Sequence, residues 1–185
     1  MKPSSYCLFD TAIGACAIAW REPADADAQP IVTHFQLPEA TAEQTEVRIA
    51  RSSDSRQASV LPPQIADLIE KVRLHLRGNT QDFRDVPIDL ENLPPFFRRV
   101  YEVALEIPPG QTRTYGEIAK AIGQPAAAQE VGQALSKNPI PLIVPCHRVL
   151  AADGKLGGFS APGGRDTKTK LLALEGAPVT PSLFS

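Results

Sequence analysis

The chain has 185 residues, of which 43% are hydrophobic, and its 19 Lys and Arg against 21 Asp and Glu give a formal net charge of −2. This length supports one substantial core or two small ones, and no apolar run approaches the roughly 20 residues that a membrane helix needs. The three cysteines have no paired spacing, which excludes a disulfide framework and favours a reducing compartment. The first residues lack the apolar core of a signal peptide, because Asp10 follows too soon. We therefore expect a cytoplasmic protein without a membrane partner.

The first half of the chain predicts a small unit of strands and helices. In order, the pattern predicts a hairpin over 6–20, a loop over 22–30, a strand over 31–37, a helix over 39–51, a loop over 52–57 and an amphipathic helix over 62–77. Cys7 and Cys16 lie in apolar surroundings and are expected to be inert core residues. We expect His75 to face solvent or lie at the rim of its helix. No Cys/His cluster has the spacing of a zinc site, so no metal is expected.

The second half predicts mainly helices after a linker over 82–95. A helix is expected over 95–107, and Pro108-Pro109-Gly110 ends it. Thr114 and Glu117 form a capping box that opens the next helix, and a second helix over 126–137 follows after Gly123. This is a helix-turn-helix pattern, although many helical hairpins bind no DNA. Residues 1–90 carry a net charge of −4 and residues 91–185 one of +2, which is compatible with a nucleic-acid partner.

The sequence PCHRV at 145–149 is the chemical centre of the chain. It follows the apolar run 140–144, which reads as a buried strand, and it leads to a glycine-rich loop. Cys146 is a candidate nucleophile, and the alternative is a buried inert thiol. Neighbours on an extended segment point to opposite faces, so activation of Cys146 by His147 would need a water or a turn. Glu175, near the end of a C-terminal helix, is the best candidate to hold the imidazole.

Four motifs together are similar to one family. Asn138-Pro139, the PCHRV sequence, Gly158-Phe159-Ser160 and the sequence LLALEG at 171–176 resemble those of O6-alkylguanine-DNA alkyltransferases, the methylated-DNA–protein-cysteine methyltransferases. The strong resemblance spans about residues 93–178. It implies an α+β fold, with a small ribonuclease-H-like α/β domain over 1–92 and a mainly helical domain with a helix-turn-helix over 93–185. It also implies no cofactor, a monomer, and double-stranded DNA carrying O6-alkylguanine as the partner, with association to the nucleoid during repair.

The resemblance also implies a role for each matching residue. A flipped lesion base would enter a pocket, and the Cys146 thiolate would take the alkyl group from O6 once and irreversibly. His147 matches the base that acts through water, and Glu175 matches the carboxylate that orients it. The remaining matches are Asn138, which secures the turns around the site; Tyr115, which helps rotate the nucleotide and donates to the leaving guanine; Ser160, which binds O6; Val149 and Phe159, which line the pocket; and Ala127, Ala128, Gln129 and Gly132, which contact DNA. We expect Arg148 to pair with buried acceptors.

Two residues depart from the family pattern. Gln129 stands where many relatives have an arginine that enters the base stack, and Glu130 stands where a small residue is common. Glutamine lacks the planar cation of arginine, and a carboxylate is repelled by phosphates. An alternative function is therefore binding of alkylguanine lesions with weak or no transfer. A third is a cysteine hydrolase, which adjacent Cys and His residues suit poorly.

Overall fold

The computed structural model describes residues 4–25 and 28–179, and its fold class is α+β, as predicted. The chain divides into two compact units. The first runs through Gln81 and includes Asp85–Asp89, and the second comprises Asp82–Arg84 and the chain from Leu90 onward. Among the helices of the described residues, none has the length and apolar character needed to cross a membrane.

The first unit contains a four-stranded sheet. Strands β1 (Ser4–Thr11) and β2 (Gly14–Arg21) form the predicted hairpin, and β3 (Ile31–Gln36) pairs antiparallel with β2 as the predicted third strand. The short strand β4 (Arg56–Gln57) pairs parallel with β1, which gives the order β3-β2-β1-β4. The loop predicted over 22–30 is confirmed for the residues that the structure describes; residues 26 and 27 lie outside them.

Helices α1 (Ala42–Ser53) and α2 (Pro63–His75) confirm the two helices predicted in this unit. The Thr41 hydroxyl caps α1 by accepting from Gln44 N at 3.2 Å. Ile49 of α1 is fully buried and packs against a cluster of sheet residues, namely Tyr6, Ala17 and Ala19. Cys16 is a buried core residue as predicted, whereas Cys7 is only half-buried. Burial raises the pKa of the Cys7 thiol to about 11 and that of the Cys16 thiol to about 12, as expected for unreactive thiols.

Two predictions for the first unit are wrong. The segment 52–57 is not all loop, because α1 continues through Ser53 and β4 follows. A polar strand of two residues has no periodicity that a sequence can reveal. His75 is not at the surface: its side chain is buried, and its Nδ1 accepts a hydrogen bond from Gln81 N at 3.0 Å. The chain turns back over the end of α2 there, which covers the imidazole.

The second unit is mainly helical. Helices α3 (Pro95–Leu105), α4 (Tyr115–Ala121), α5 (Ala128–Ser136) and α6 (Gly164–Leu174) correspond to the predicted helices. The capping box is present: Thr114 Oγ1 accepts from Glu117 N at 3.1 Å, and Glu117 Oε2 accepts from Thr114 N at 2.6 Å. The buried Tyr101 hydroxyl donates to Ala134 O at 2.7 Å and joins α3 to α5. Helices α4 and α5 thus form the expected helix-turn-helix.

A pair of two-residue strands connects the helix-turn-helix to the cysteine segment. Strands β5 (Arg113–Thr114) and β6 (Val149–Leu150) pair in parallel. Tyr115 follows β5 directly, whereas Cys146 precedes β6 by three residues. This short ladder fixes the start of α4 beside the cysteine segment.

The apolar run 140–144 is not a strand, contrary to the prediction. It is a buried turn in which Leu142 has φ 76° and Val144 N donates to Ile140 O at 2.9 Å. Prolines at 139, 141 and 145 remove three backbone donors, so this segment cannot supply a regular strand ladder. Burial explains the apolar composition, and the prolines decide the backbone shape.

Replacing Ile49 with Ala should lower the free energy of unfolding by about 2–5 kcal/mol, because truncation leaves a cavity in a closed core. Val47 lies on the same helix and is 57% exposed, so Val47→Ala should change the free energy by less than about 0.5 kcal/mol. Urea denaturation of both variants measures the difference. Equal losses would contradict the packing described for α1.

Candidate active site

Cys146 begins a single turn of 3-10 helix, Cys146–Arg148, and the predicted extended geometry is therefore wrong. The turn is closed by backbone hydrogen bonds from Arg148 N to Pro145 O at 2.9 Å and from Val149 N to Cys146 O, and Cys146 N donates to Val144 O at 2.8 Å just before it. Successive side chains of such a turn are about 120° apart around the axis. Cys146 and His147 are consequently not held on opposite faces, as they would be in an extended strand. The turn thus provides the geometry that activation of Cys146 by His147 needs.

The two residues after the cysteine share one carboxylate. His147 Nε2 donates to Glu175 Oε1 at 2.8 Å, and Arg148 donates from Nη2 to Oε1 at 2.8 Å and from Nε to Oε2 at 2.9 Å. All three side chains are buried. Because a carboxylate only accepts, Nε2 of the imidazole carries a proton. Arg148 Nη1 also donates to Ile107 O at 2.6 Å, which confirms its pairing with buried acceptors.

Asn138 closes the turn that precedes the cysteine. Its Nδ2 donates to Val144 O at 2.9 Å, and its Oδ1 accepts from Ile140 N at 2.9 Å. One amide side chain thus satisfies a donor and an acceptor of a buried segment that its prolines deprive of backbone partners. It holds the backbone on which Cys146 sits.

Cys146 lies in a cavity of about 570 Å³ within the second unit. One wall comes from the helix α5 and another from the loop that precedes α6. The lining residues are Tyr115, Ala128, Gln129, Gly132, Gln133, Leu135, Ser136, Cys146, Gly158, Phe159 and Ser160. The volume is in the range of small-molecule sites and admits a purine base.

Glycines and a lysine surround the Tyr115 ring. A Cβ on Gly132 would lie 3.8 Å from Tyr115 Cε1, which is an ordinary contact. A Cβ on Gly157, whose φ is +65°, would lie 3.1 Å from the Tyr115 hydroxyl oxygen. Lys168 Nζ lies 5.9 Å from the ring centroid. Burial, and then the charge of Cys146, raise the pKa of the Tyr115 phenol, so it stays protonated and able to donate.

Lys168 is the least expected member of the site. It has no exposed surface, and its Nζ donates to Val149 O at 2.7 Å and to Gly158 O at 3.3 Å. Lys168 was not among the site residues predicted from the sequence. A signal was present, since Lys168 precedes the buried Leu171 and Leu172 of α6 by three and four residues and so falls on the apolar stripe of that helix.

The resting thiol is mainly protonated. Burial raises the pKa of Cys146 above its ordinary value of 9.0, and this is the largest effect. The Asn138 amide, the Lys168 ammonium and two backbone N–H groups act in the opposite direction. Because the thiolate is the nucleophile, the site needs a base at neutral pH.

Several predicted residues lie outside the cavity lining. Asn138, His147 and Glu175 support Cys146 from behind. Val149 is fully buried and contributes its carbonyl to Lys168, not a side chain to the wall, and Ala127 precedes α5 without reaching the lining. Four residues of the lining were not predicted as site residues, namely Gln133, Leu135, Ser136 and Gly158. Gln129, Gly132, Gln133 and Ser136 share one face of α5 by their spacing.

The arrangement can support nucleophilic chemistry on a flat, base-sized group. A thiol lies in a cavity, an imidazole next to it in sequence is oriented by a buried carboxylate, and a phenol can donate a proton. The Ser160 hydroxyl faces the same cavity, but it donates to Ser136 O at 2.7 Å. It must turn away from that carbonyl before it can donate to a ligand.

Comparisons with known proteins identify what the chain is similar to. Residues 95–177 match the model of the 6-O-methylguanine DNA methyltransferase DNA-binding domain. A methylated-DNA–protein-cysteine methyltransferase of Mycolicibacterium paratuberculosis is 36% identical over 97% of this chain and 98% of its own length. Its counterpart in Mycobacterium tuberculosis is 44% identical over 66% of this chain and 73% of its own length. The crystal structure of Mycobacterium tuberculosis OGT in complex with DNA covers 94% of this chain and 95% of its own, with 34% identity and a TM-score of 0.70.

Gly157→Ala should destabilise the protein more than Gly154→Ala. Both glycines have positive φ, +65° and +72°, so each methyl group adds about 1–2 kcal/mol of backbone strain. Only at position 157 does the methyl group also meet the Tyr115 hydroxyl, because nothing lies within 4 Å of a Cβ at Gly154. Urea denaturation of the two variants measures the difference in the free energy of unfolding. Equal destabilisation would show that Tyr115 is not held against Gly157.

Proposed function

The chain belongs to the methylated-DNA–protein-cysteine methyltransferases, enzymes of DNA repair, and we propose that it transfers the alkyl group of O6-alkylguanine in double-stranded DNA irreversibly to Cys146, once per molecule. The observation that carries this proposal is the position of Cys146 in a base-sized cavity with the buried His147–Glu175 pair next to it in the fold. A thioether has no easy leaving route, so the modified protein would not turn over.

The proposed step begins with loss of the thiol proton to His147 through a water. Glu175 accepts from Nε2, so the proton would arrive at Nδ1, and the buried carboxylate would stabilise the resulting imidazolium. The thiolate then attacks the alkyl carbon. The S–C bond forms as the C–O6 bond breaks, and the bonding electrons stay on the guanine. A proton from the Tyr115 phenol would neutralise the leaving guanine, and the His147 proton would return to Tyr115.

Two residues of the cavity wall would orient the base. Ser160 would exchange its hydrogen bond with Ser136 O for one with O6, because one hydroxyl proton serves one acceptor at a time. Phe159 lines the same wall and offers a ring against which a flipped base can pack. Flipping costs a few kcal/mol of unstacking and is easiest for a damaged base, which favours lesions over normal guanine.

We further propose that DNA binding and transfer both reside in residues 93–185, with residues 1–92 as a separate domain, and that the protein associates with the nucleoid during repair. The match of residues 95–177 to a DNA-binding domain supports this division. The relative of similar fold that was crystallised in complex with DNA supports DNA as the partner. Ala127, Ala128, Gln129 and Gly132, at the start of α5, would meet the DNA, and Ala128, Gln129 and Gly132 line the cavity.

Intact-mass measurement after incubation with O6-methylguanine DNA tests the proposal. The protein should gain one methyl group in stoichiometric amount, and Cys146→Ser should gain none, because the sulfur is the acceptor. Cys16→Ser is the matched control: Cys16 is fully buried in the first unit and should not affect the adduct.

The same experiment separates the other candidate functions. Tight binding of the lesion without a mass change would favour a lesion-binding protein and contradict transfer. Repeated turnover of an ester or peptide, with an unmodified protein at the end, would favour a cysteine hydrolase.

Gln129→Arg should accelerate repair of duplex DNA more than reaction with free O6-benzylguanine. Gln129 is exposed at the cavity edge, and α5 has Glu130 but no Lys or Arg. An added cation would attract phosphates and could occupy space in the base stack, which only the duplex reaction needs. Single-turnover rates with both substrates measure the two effects. Equal acceleration of both reactions would contradict a role of position 129 in lesion capture.

A further inference from the structure

Helix α1 carries opposite charges at the two ends of one exposed stripe. Glu43, Val47 and Arg51 follow one another at intervals of four residues, so they lie on the same side of the helix, and all three are exposed. We infer that this α1 stripe pairs with the same stripe of a second copy of the chain, with the two helices antiparallel across a two-fold axis at Val47.

The α1 stripe is complementary to itself only when the two helices run antiparallel. Val47 lies midway between the two charged residues, about 6 Å along the axis from each, because every residue advances an α-helix by about 1.5 Å. A two-fold axis at Val47 therefore places Glu43 of each copy beside Arg51 of the other. Parallel helices would instead set like charges against each other. A two-fold pairing of identical surfaces closes at two copies.

An open groove of about 590 Å³ runs along this side of α1. Two rows of side chains at four-residue intervals line it, and Glu39 completes the lining. The first row is Glu43, Val47 and Arg51, and the second is Gln44, Arg48 and Ser52. Rows with this spacing are the ridges that fit into each other's grooves in the commonest class of helix packing. The surface thus has the relief that a second α1 helix needs.

The charged groups of the stripe are available to a partner. Arg51 has no hydrogen bond or ion pair with any other residue that the structure describes. Hydrogen bonds from its own backbone and from Thr41 lower the pKa of Glu43, so its carboxylate is ionised at neutral pH. Arg48, on the flank, lies 3.5 Å from Glu39 of its own chain. That ion pair reduces the repulsion that Arg48 would add near the axis.

The helix dipole explains the signs of the two charges but not the residue between them. An acid in the first turn and a base in the last turn stabilise any helix, and α1 has Glu43 and Arg51 at these places. The dipole gives no reason for a valine that is 57% exposed at the centre of the stripe. Valine is also a weaker helix former than alanine, glutamate or lysine. Burial of Val47 against its copy accounts for it.

The pairing is weak because the helix is short. Helix α1 has 12 residues, and one crossing of two such helices buries less than the roughly 1,200 Å² at which stable interfaces begin. We expect a Kd on the order of 0.1 mM. The dilute chain is then the monomer that the family resemblance implies, and the dimer forms only at high concentration.

Sedimentation equilibrium of the full chain, over a range of about 10 μM to 1 mM that brackets this Kd, tests the inference. Glu43→Arg and Arg51→Glu each turn both contacts into like-charge pairs, so each variant alone should weaken the dimer by about tenfold. An equimolar mixture of the two variants should form a dimer again, because every mixed contact joins an acid to a base. The double variant should likewise recover the dimer.

Two controls separate the stripe from general effects of charge and polarity. Glu102→Arg changes the net charge as Glu43→Arg does, but at an exposed position of α3 in the second unit, and should leave the dimer unchanged. Val47→Asp should abolish the dimer, whereas Val60→Asp should not, because Val60 is 78% exposed outside the helices and strands.

A measurement on the natural sequence does not depend on whether any variant folds. Raising the salt concentration should weaken its dimer, because salt screens exposed charge pairs. A chain that stays monomeric to 1 mM in low salt would overturn the inference. So would a dimer that neither charge reversal weakens, or a mixture of the two folded variants that stays monomeric. No step of the test involves DNA or Cys146, so its result is independent of the proposed transfer.

Discussion

The active site depends on the buried carboxylate of Glu175. It accepts hydrogen bonds from His147 and Arg148, and Arg148 also binds Ile107 O, so the end of α6, the 3-10 turn and the segment after α3 meet at this point. Removing one partner from a buried ion pair costs about 3–5 kcal/mol, because the other charge remains unpaired in a low dielectric. The constraint fixes the two residues after Cys146 and leaves the sulfur itself directed at the cavity.

The buried site keeps the Cys146 thiol unreactive in the resting protein. A thiol with a low pKa would react with many electrophiles, whereas burial raises the pKa of Cys146 and keeps it protonated. The groups that favour the thiolate are Asn138, Lys168 and two backbone N–H groups, and their effect on the pKa is smaller than that of burial. A base that fills the cavity would expel water and strengthen every charge interaction there. Selectivity for the proper substrate then follows from occupancy of the cavity as well as from its shape.

Most helices and strands could be predicted from local sequence patterns. The features that were not predicted depend on contacts between residues that are distant in the sequence. The Thr114–Glu117 capping box concerns four consecutive residues and was found in full. The apolar run 140–144 misled because burial gives strands and buried turns the same composition. The prolines exclude a strand ladder there, and Asn138 holds the turn by hydrogen bonds to Val144 O and Ile140 N. Lys168 was missed for a related reason: a lysine on an apolar stripe is explained only by carbonyls from Val149 and Gly158, which the fold brings to it.

Helix α5 has a buried face and an exposed face, and the two residues that depart from the family pattern lie on the exposed one. Val131, Ala134 and Leu135 are buried, so they fix the helix against the rest of the unit. Gln129 and Glu130 are exposed in its first turn and have no hydrogen bond to the catalytic residues among those that the structure describes. In the proposed reaction, transfer would depend on the buried network behind Cys146, whereas DNA capture would depend on charge at this surface. The absence of a cation at position 129 would therefore weaken the proposed lesion capture and leave the chemistry of the thiol intact.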